Sequence, residues 1–185
     1  MLQCIIQGRG GQGAQMAGEI LAHAFFQAGR YVQNYATYGG ARRGTPVSSY
    51  IRVDDKPIRL RCNIETPDVI MCFDPSLLND VLMRGAGKST LVIINSTEPP
   101  ESYEKLGDFK ITTINAIAIA QNNKLGRIVN TTLVGAFAGL VASPVIEVLT
   151  KVVGEMSPVK AEQNVKACLE GYKFARERGG IYVSA

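Results

Sequence analysis

The residues whose types and spacing could do chemistry are Gly8-Arg9-Gly10-Gly11-Gln12-Gly13. They follow an apolar run from Leu2 to Gln7 and open a helical pattern that reaches Ala28, so the stretch reads as strand, tight glycine turn and helix. Glycines let a backbone turn sharply and approach a ligand closely, and the first N–H groups of a helix have no intrahelical acceptor. The guest such a turn suits is a phosphate. Gly8, Gly10 and Gly13 also meet the G-x-G-x-x-G spacing in the strand-to-helix setting that gives the pattern meaning. The competing reading is a tight turn that binds nothing.

A dinucleotide site of the usual kind wants an Asp or Glu about 20 residues further on to hold the ribose hydroxyls. This chain has no acidic residue between Glu19 and Asp54, which disfavours ordinary NAD binding. In its place stands a glycine-rich loop from Tyr35 to Pro46 with Tyr38 at its centre and the adjacent pair Arg42-Arg43. An arginine offers a planar fork of donors suited to phosphate oxygens. The alternative for the pair is a solvated loop or a subunit contact. Asn95 and Thr97 lie just beyond an apolar strand, where open α/β sheets place ligand loops, although a cap or turn cluster reads equally well. Asn130 opens an uncharged helix with good cap chemistry.

The elements that must position these groups follow from the pattern. A second strand spans Tyr31 to Ala36 after Gly29 ends the first helix, so the chain opens with a Rossmann-like β-α-β unit. Alternation over Val47–Val53 and Ile58–Arg61, around Asp54-Asp55-Lys56-Pro57, predicts a hairpin with Arg52 opposite Arg59. Val69–Phe73 and Leu91–Asn95 are continuous apolar runs, as central strands should be, with a helix from Pro75 to Met83 between them, capped by Asp74. Lys110–Ile114 gives another strand and Ala116–Gln121 a short helix. A last long helix is expected from Ser157-Pro158 to about Arg178. The expected fold is a three-layer α/β/α domain, mostly parallel, with an antiparallel hairpin, and residues 1–185 read as one domain.

Composition narrows the function. At 46% hydrophobic and 19% charged residues the chain is globular, and a net charge of +4 without basic blocks argues against nucleic acid as the main partner. The four cysteines, Cys4, Cys62, Cys72 and Cys168, are far apart and read as buried thiols rather than cluster ligands. His23 stands alone on the first helix and reads as a helix residue, not a ligand. Ile128 to Ile146 carries no charge and holds Gly135 and Gly139 at G-x-x-x-G spacing, but Ser143-Pro144 and the charges that follow make it a buried, broken helix rather than a membrane span. With a strand at the very start and no leader pattern, a cytoplasmic location is expected.

Taken in order, GRGGQG after the first strand, YGGARRGTPV after the second, the DDKPI turn, INSTEPP and NTTLVGAFAGL resemble the gamma subunit of the 2-oxoacid:ferredoxin oxidoreductases (pyruvate, ketoisovalerate and 2-oxoglutarate types) over nearly the whole chain. The resemblance implies an α/β/α domain in a complex that converts a 2-oxoacid, coenzyme A and oxidised ferredoxin to acyl-CoA, carbon dioxide and reduced ferredoxin. Thiamine diphosphate and iron–sulfur clusters would reside in partner subunits, called alpha, beta and in some members delta. This chain has neither a thiamine diphosphate motif nor a cysteine cluster, and it should be inactive alone. The gamma subunit would help bind coenzyme A and organise the assembly, with Gly8, Arg9, Gly10, Gly11, Gln12, Gly13, Tyr38, Arg42, Arg43, Asn95, Thr97 and Asn130 as candidate binding residues. Many relatives read YGPE where this chain has Tyr38-Gly39-Gly40-Ala41, so a proline and a carboxylate of that pattern are missing here. The rival readings are an NADP-binding oxidoreductase, with Arg42 or Arg43 on the 2′-phosphate, and a purely structural subunit.

Overall fold

Alternation of side chains along the strands sorts the core into two faces. The computed structural model describes residues 1–40 and 44–178, with the side chains of residues 80 and 81 outside the description. Its strands are β1 (Leu2–Arg9), β2 (Tyr31–Tyr38), β3 (Pro46–Asp54), β4 (Val69–Cys72), β5 (Leu91–Asn95) and β6 (Lys110–Ile114). Its helices are α1 (Ala14–Gln27), α2 (Asp80–Met83), α3 (Ala116–Asn122), α4 (Asn130–Val141), α5 (Ile146–Met156) and α6 (Ala161–Glu177). The sheet order is β2-β3-β1-β4-β5-β6. Cys4, Ile6, Val69, Met71, Leu91 and Ile93 point to the face covered by α1, α4, α5 and α6. Ile5, Ile70, Val92 and Ile94 point to the other face, where Ile64, Leu82 and Met83 close a smaller core. That second layer is built of short turns rather than long helices.

The expected mixed α/β fold is present, mostly parallel through β1, β4, β5 and β6. The hairpin is not the expected one. β3 pairs antiparallel with β2 on one side and with β1 on the other, and residues 58–61 form no strand. β3 therefore lies between the strands of the opening β-α-β unit. The register sets Arg52 between Gln3 and Gln33, not opposite Arg59. Arg52 is 1% exposed. Its Nε donates to Gln3 Oε1 at 3.0 Å and its Nη1 to Gln33 Oε1 at 2.7 Å. Its Nη2 donates to the carbonyls of Cys62 and Asn63 at 2.9 and 3.0 Å. Those carbonyls are available because the segment after β3 is irregular. Strand-like alternation was misleading here, since the charged residue faces inward.

Helix boundaries also differ from expectation. The segment from Pro75 breaks at Leu78, which is extended, into a 3-10 turn over Pro75–Leu77 and then α2. Asp74 caps the turn as expected, accepting from the Ser76 N–H. Ala142, at φ +57, ends α4, and α5 follows the cis Ser143–Pro144 peptide as a separate helix. Ser157 is extended, as a residue before proline prefers, so the last helix starts at Ala161 rather than at Ser157-Pro158. The 3-10 helix over Pro100–Leu106 was not foreseen.

Every residue of α4 is buried, and its small residues serve packing within the chain. A Cβ on Gly135 would come 1.9 Å from the carbonyl oxygen of Cys168 in α6, and one on Gly171 would come 2.1 Å from that of Thr132. The two helix backbones thus touch through paired glycines. No helix is long and apolar enough to cross a membrane among the described residues.

Gly171→Val should lower stability by about 3 kcal/mol or more, since the obstacle is backbone and cannot rotate away. The denaturant midpoint reads this, and a variant within about 0.5 kcal/mol of wild type would show that α4 and α6 can separate. Arg52→Leu should cost about 2 to 4 kcal/mol, because it removes the shared donor of four part-buried oxygens, those of the Gln3 and Gln33 side chains and of the Cys62 and Asn63 main chain. The comparison to make is with Arg59→Leu, which should be nearly neutral at its exposed position.

Candidate phosphate-binding site

β1 and β2 run in the same direction because each is antiparallel to β3. The loops that leave their carboxyl ends consequently meet. The Gly10 N–H donates to the Thr45 carbonyl at 2.9 Å and the Gly44 N–H to the Gly10 carbonyl at 3.3 Å. Gln12 closes the turn on itself: its N–H donates to the Arg9 carbonyl at 2.9 Å and its Oε1 accepts the Arg9 N–H at 2.7 Å. Gly11 and Gly13 sit at φ +99 and +83, backbone that side chains resist. Gly8 is enclosed, for a Cβ there would lie 3.1 Å from Ala14 Cβ and 3.3 Å from Phe73 Cβ.

Gly13 is the N-cap of α1, with no side chain capping it and no acid in the first turn. The positive end of the helix is left open to a ligand. Two clefts flank the loop. The larger, about 770 Å³, runs between Gly10, Gly13, Met16, Glu19, Tyr38 and Val47. The smaller, about 410 Å³, lies between Gly10–Gln12, Asn95, Ile117, Arg127 and Val129.

Residues 3–174 match the family model of pyruvate ferredoxin/flavodoxin oxidoreductase. The chain belongs to this family. It is 39% identical to the pyruvate synthase subunit PorC of Methanothermobacter thermautotrophicus over 94% of this chain and 95% of that one. The crystal structure of pyruvate oxidoreductase subunit PORC from Thermotoga maritima superposes with a TM-score of 0.83 at 30% identity, over 93% of this chain and 95% of that one. The fold also recurs in the 2-oxoglutarate:ferredoxin oxidoreductase of Magnetococcus marinus with 2-oxoglutarate, coenzyme A and succinyl-CoA bound, at a TM-score of 0.79 and 21% identity, over 100% of this chain and 33% of that one.

Within this family member the sequence-singled residues take distinct parts. Arg9 is already engaged: its Nε donates to Asp74 Oδ2 at 2.7 Å, its Nη2 to Ser76 Oγ at 2.8 Å and its Nη1 to the Gly44 carbonyl at 3.1 Å. It braces the two loops against the end of β4. Asn95 is a joint as well, donating to the Phe73 carbonyl at 3.0 Å and accepting the Ala116 N–H at 3.1 Å. Tyr38 stands at the rim of the larger cleft, 58% exposed, with its hydroxyl donating to Gln15 Oε1. Asn130 is not a side-chain cap, since Val129 holds the N-cap position of α4, but it packs on the loop: a Cβ on Gly13 would come 2.9 Å from its Nδ2. Thr97 is not brought to the loop; it lines a separate depression with Phe174 and Arg178. Arg42 and Arg43 lie outside the described residues, and Gly44, which follows them, is bonded to Gly10.

Arg127 was missed. Nothing in its local pattern marks it, because its place beside the glycine loop depends on where α4 begins in space. The expectation of buried thiols holds for Cys4, Cys72 and Cys168 and fails for Cys62, which is exposed. Burial pushes the thiols of Cys72 and Cys168 up to about 12. No group of His, Cys, Asp and Glu suited to a metal ion occurs among the described residues.

Burial alone would raise the Asp74 carboxyl, but hydrogen bonds from the Ser76 side chain and backbone, together with Arg9, outweigh it and hold the group below its ordinary value. The brace is therefore fully stabilising above the usual carboxylate range and is lost as pH falls through the lower folded value. Asp74→Asn should cost about 1 to 2 kcal/mol at neutral pH and lose less stability than wild type on acidification. Denaturant midpoints between pH 2.5 and 7 check this, and parallel pH profiles would remove Asp74 from the brace.

Proposed function

We propose that this chain is the gamma subunit of a 2-oxoacid:ferredoxin oxidoreductase complex and that its glycine loop binds the phosphates of coenzyme A. The observation that carries the reading is the interlock of Gly10 with Gly44 and Thr45 at the uncapped start of α1. It holds backbone N–H groups in a fixed cradle beside an open cleft, which is what a diphosphate needs. The names of the relatives support the oxidoreductase complex, and the Magnetococcus enzyme is one that takes coenzyme A.

Alpha and beta partners, with delta where present, complete the enzyme and pass electrons to ferredoxin or a similar acceptor. Thiamine diphosphate and iron–sulfur clusters on those partners supply the decarboxylation and the electron transfer. This chain supplies binding and position. Its cysteines do not converge, three being buried in separate elements and the fourth exposed. The NADP reading fits the geometry less well. β3 separates β1 from β2, so the end of β2 lies a strand further from the glycine loop than in a dinucleotide fold, a displacement of about 4.8 Å.

In the assembled complex, Gly11→Val should raise the Michaelis constant for coenzyme A about tenfold or more while leaving that for the 2-oxoacid near wild type. The position is open, with no described atom within 4 Å of a Cβ there, so the folding penalty is confined to about 1 to 2 kcal/mol of backbone strain. An assembled variant with unchanged coenzyme A dependence would overturn the site. Turnover of pyruvate or 2-oxoglutarate by the chain alone, with coenzyme A and a dye acceptor, would overturn the subunit reading.

A further inference from the structure

β2 is the outer strand of the sheet, and its far side pairs with no strand among the described residues. One bond settles which main-chain groups face outward. The Gly39 N–H donates to the Pro46 carbonyl at 2.8 Å, so the odd-numbered residues of β2 bond to β3, while the N–H and C=O groups of Val32, Asn34, Ala36 and Tyr38 point away from the sheet. None of these outward groups makes a hydrogen bond with a described residue. Edge strands are ordinarily guarded by charge, proline or a bulge. β2 runs for eight residues, Tyr31–Tyr38, with no charged side chain, no proline and an unbroken register against β3. Exposed apolar side chains gather along it. Phe26 of α1 is 70% exposed and lines shallow hollows with Tyr31 and Val32. Tyr31 and Tyr38 stand exposed at the two ends of the strand, and Leu60, also exposed, gives its carbonyl to Gln33. An unguarded edge with an apolar border is a template for pairing with another chain.

We propose that β2 pairs antiparallel with β2 of a second copy of this chain, across a two-fold axis at Tyr35, joining the two sheets into one. The strand is self-complementary in that register. Every outward N–H and C=O from Val32 to Tyr38 meets one of the other copy, with Val32 opposite Tyr38, Asn34 opposite Ala36, Gln33 opposite Thr37 and Tyr35 opposite itself. Each of these pairs is apolar or neutral, and no like charges face each other along the strand. The position of α1 also selects a second copy. A Cβ on Gly18 would strike Ser49 Oγ of β3 and lie 3.3 Å from Asn34 Oδ1 of β2, so α1 sits over the gap between those two strands. With strands about 4.8 Å apart, the axis sets the two α1 helices about 10 Å from each other, the distance at which helices pack. A strand from an unrelated chain brings no such helix. Phe26, beside Val32, then meets Tyr38 of the second copy, and each covers the other's exposed ring. Glu19, the acid on that stripe of α1, is turned along its own helix and accepts from Gln15 Nε2 at 2.8 Å. The pairing does not depend on what the glycine loop binds.

Sedimentation equilibrium of the full chain, from low to high micromolar concentration, should show the mass rising from 20.0 kDa toward twice that value. Amide hydrogen exchange on the same samples should find Gln33, Tyr35 and Thr37 protected throughout, and Asn34, Ala36 and Tyr38 protected only where the dimer forms. Phe26→Lys, at an exposed position, should fold as wild type and raise the dimer dissociation constant about tenfold or more. Ala36→Pro removes an outward N–H while sparing the ladder to β3, and it should abolish the dimer. Should Ala36→Pro not fold, Phe26→Lys and the exchange pattern decide alone. A chain that stays monomeric, a dimer in which Asn34, Ala36 and Tyr38 exchange freely, or a dimer that neither variant weakens would overturn the proposal. Exchange in the assembled complex separates the occupants: protection of those three amides there, without a dimer of the chain, gives the edge to a different subunit and overturns the second copy.

Discussion

Because β3 runs antiparallel to both of its neighbours, the chain leaves β1 and β2 in one direction and returns between them, and the two exit loops close on each other. The rest of the site depends on that insertion. Without β3, α1 would carry the chain to a strand beside β1, and the second loop would belong to an ordinary β-α-β crossover. With β3 in place, β2 becomes the edge, and Gly44 and Thr45, just before β3, are tied to Gly10 by main-chain hydrogen bonds. Its register requires an inward residue between Gln3 and Gln33, and the chain puts Arg52 there. A buried guanidinium is tolerable only with its donors satisfied, and two glutamine oxygens and two carbonyls do so without a carboxylate among its hydrogen-bond partners. Tyr35 and Tyr50, stacked at 4.8 Å on neighbouring strands, add cross-strand contact near it.

The helical layer imposes the second constraint. α4 can start beside Gly13 only if it lies close to α6, and Gly135, Gly139 and Gly171 permit that approach. Packing of this kind is stiff, since a backbone oxygen offers no rotamer to relieve a clash. The N-terminus of α4 is thereby held at a set distance from that of α1. A geometry that looks like core packing thus decides where two helix ends meet.

Much of the fold was legible because its signals are local. Continuous apolar runs over Val69–Phe73 and Leu91–Asn95 can hardly be anything but buried strands, and Gly29 ends a helix by its backbone alone, at φ +79. The glycine loop was legible for the same reason. The hairpin was not, because alternation in 47–53 is equally compatible with a partner before or after it in sequence, and only the burial of Arg52 distinguishes the two. Roles at the site were harder still. Arg9 sits inside the motif and reads as a ligand until Asp74 and Ser76, brought from beyond another strand, take up its donors. Cys62 reads as a buried thiol until its neighbourhood proves to be an irregular segment that gives its carbonyl to Arg52.

This division between arginines follows from what each neighbourhood supplies. An arginine next to a fixed carboxylate becomes scaffold, because a partly desolvated ion pair with good geometry outcompetes a ligand that must be captured from water. Arg9 and Asp74 are such a pair, and their work is to hold Gly44 and the glycine turn in register. What is left to meet an anion is mainly backbone: N–H groups at fixed positions, which lose no side-chain entropy on binding and cannot be neutralised by a proton. A cradle of that kind recognises phosphate without discriminating among phosphorylated ligands. Discrimination then has to come from groups at its margins, and among the described residues those margins differ, one side bearing Glu19 and Tyr38 and the other Arg127 and the start of α4.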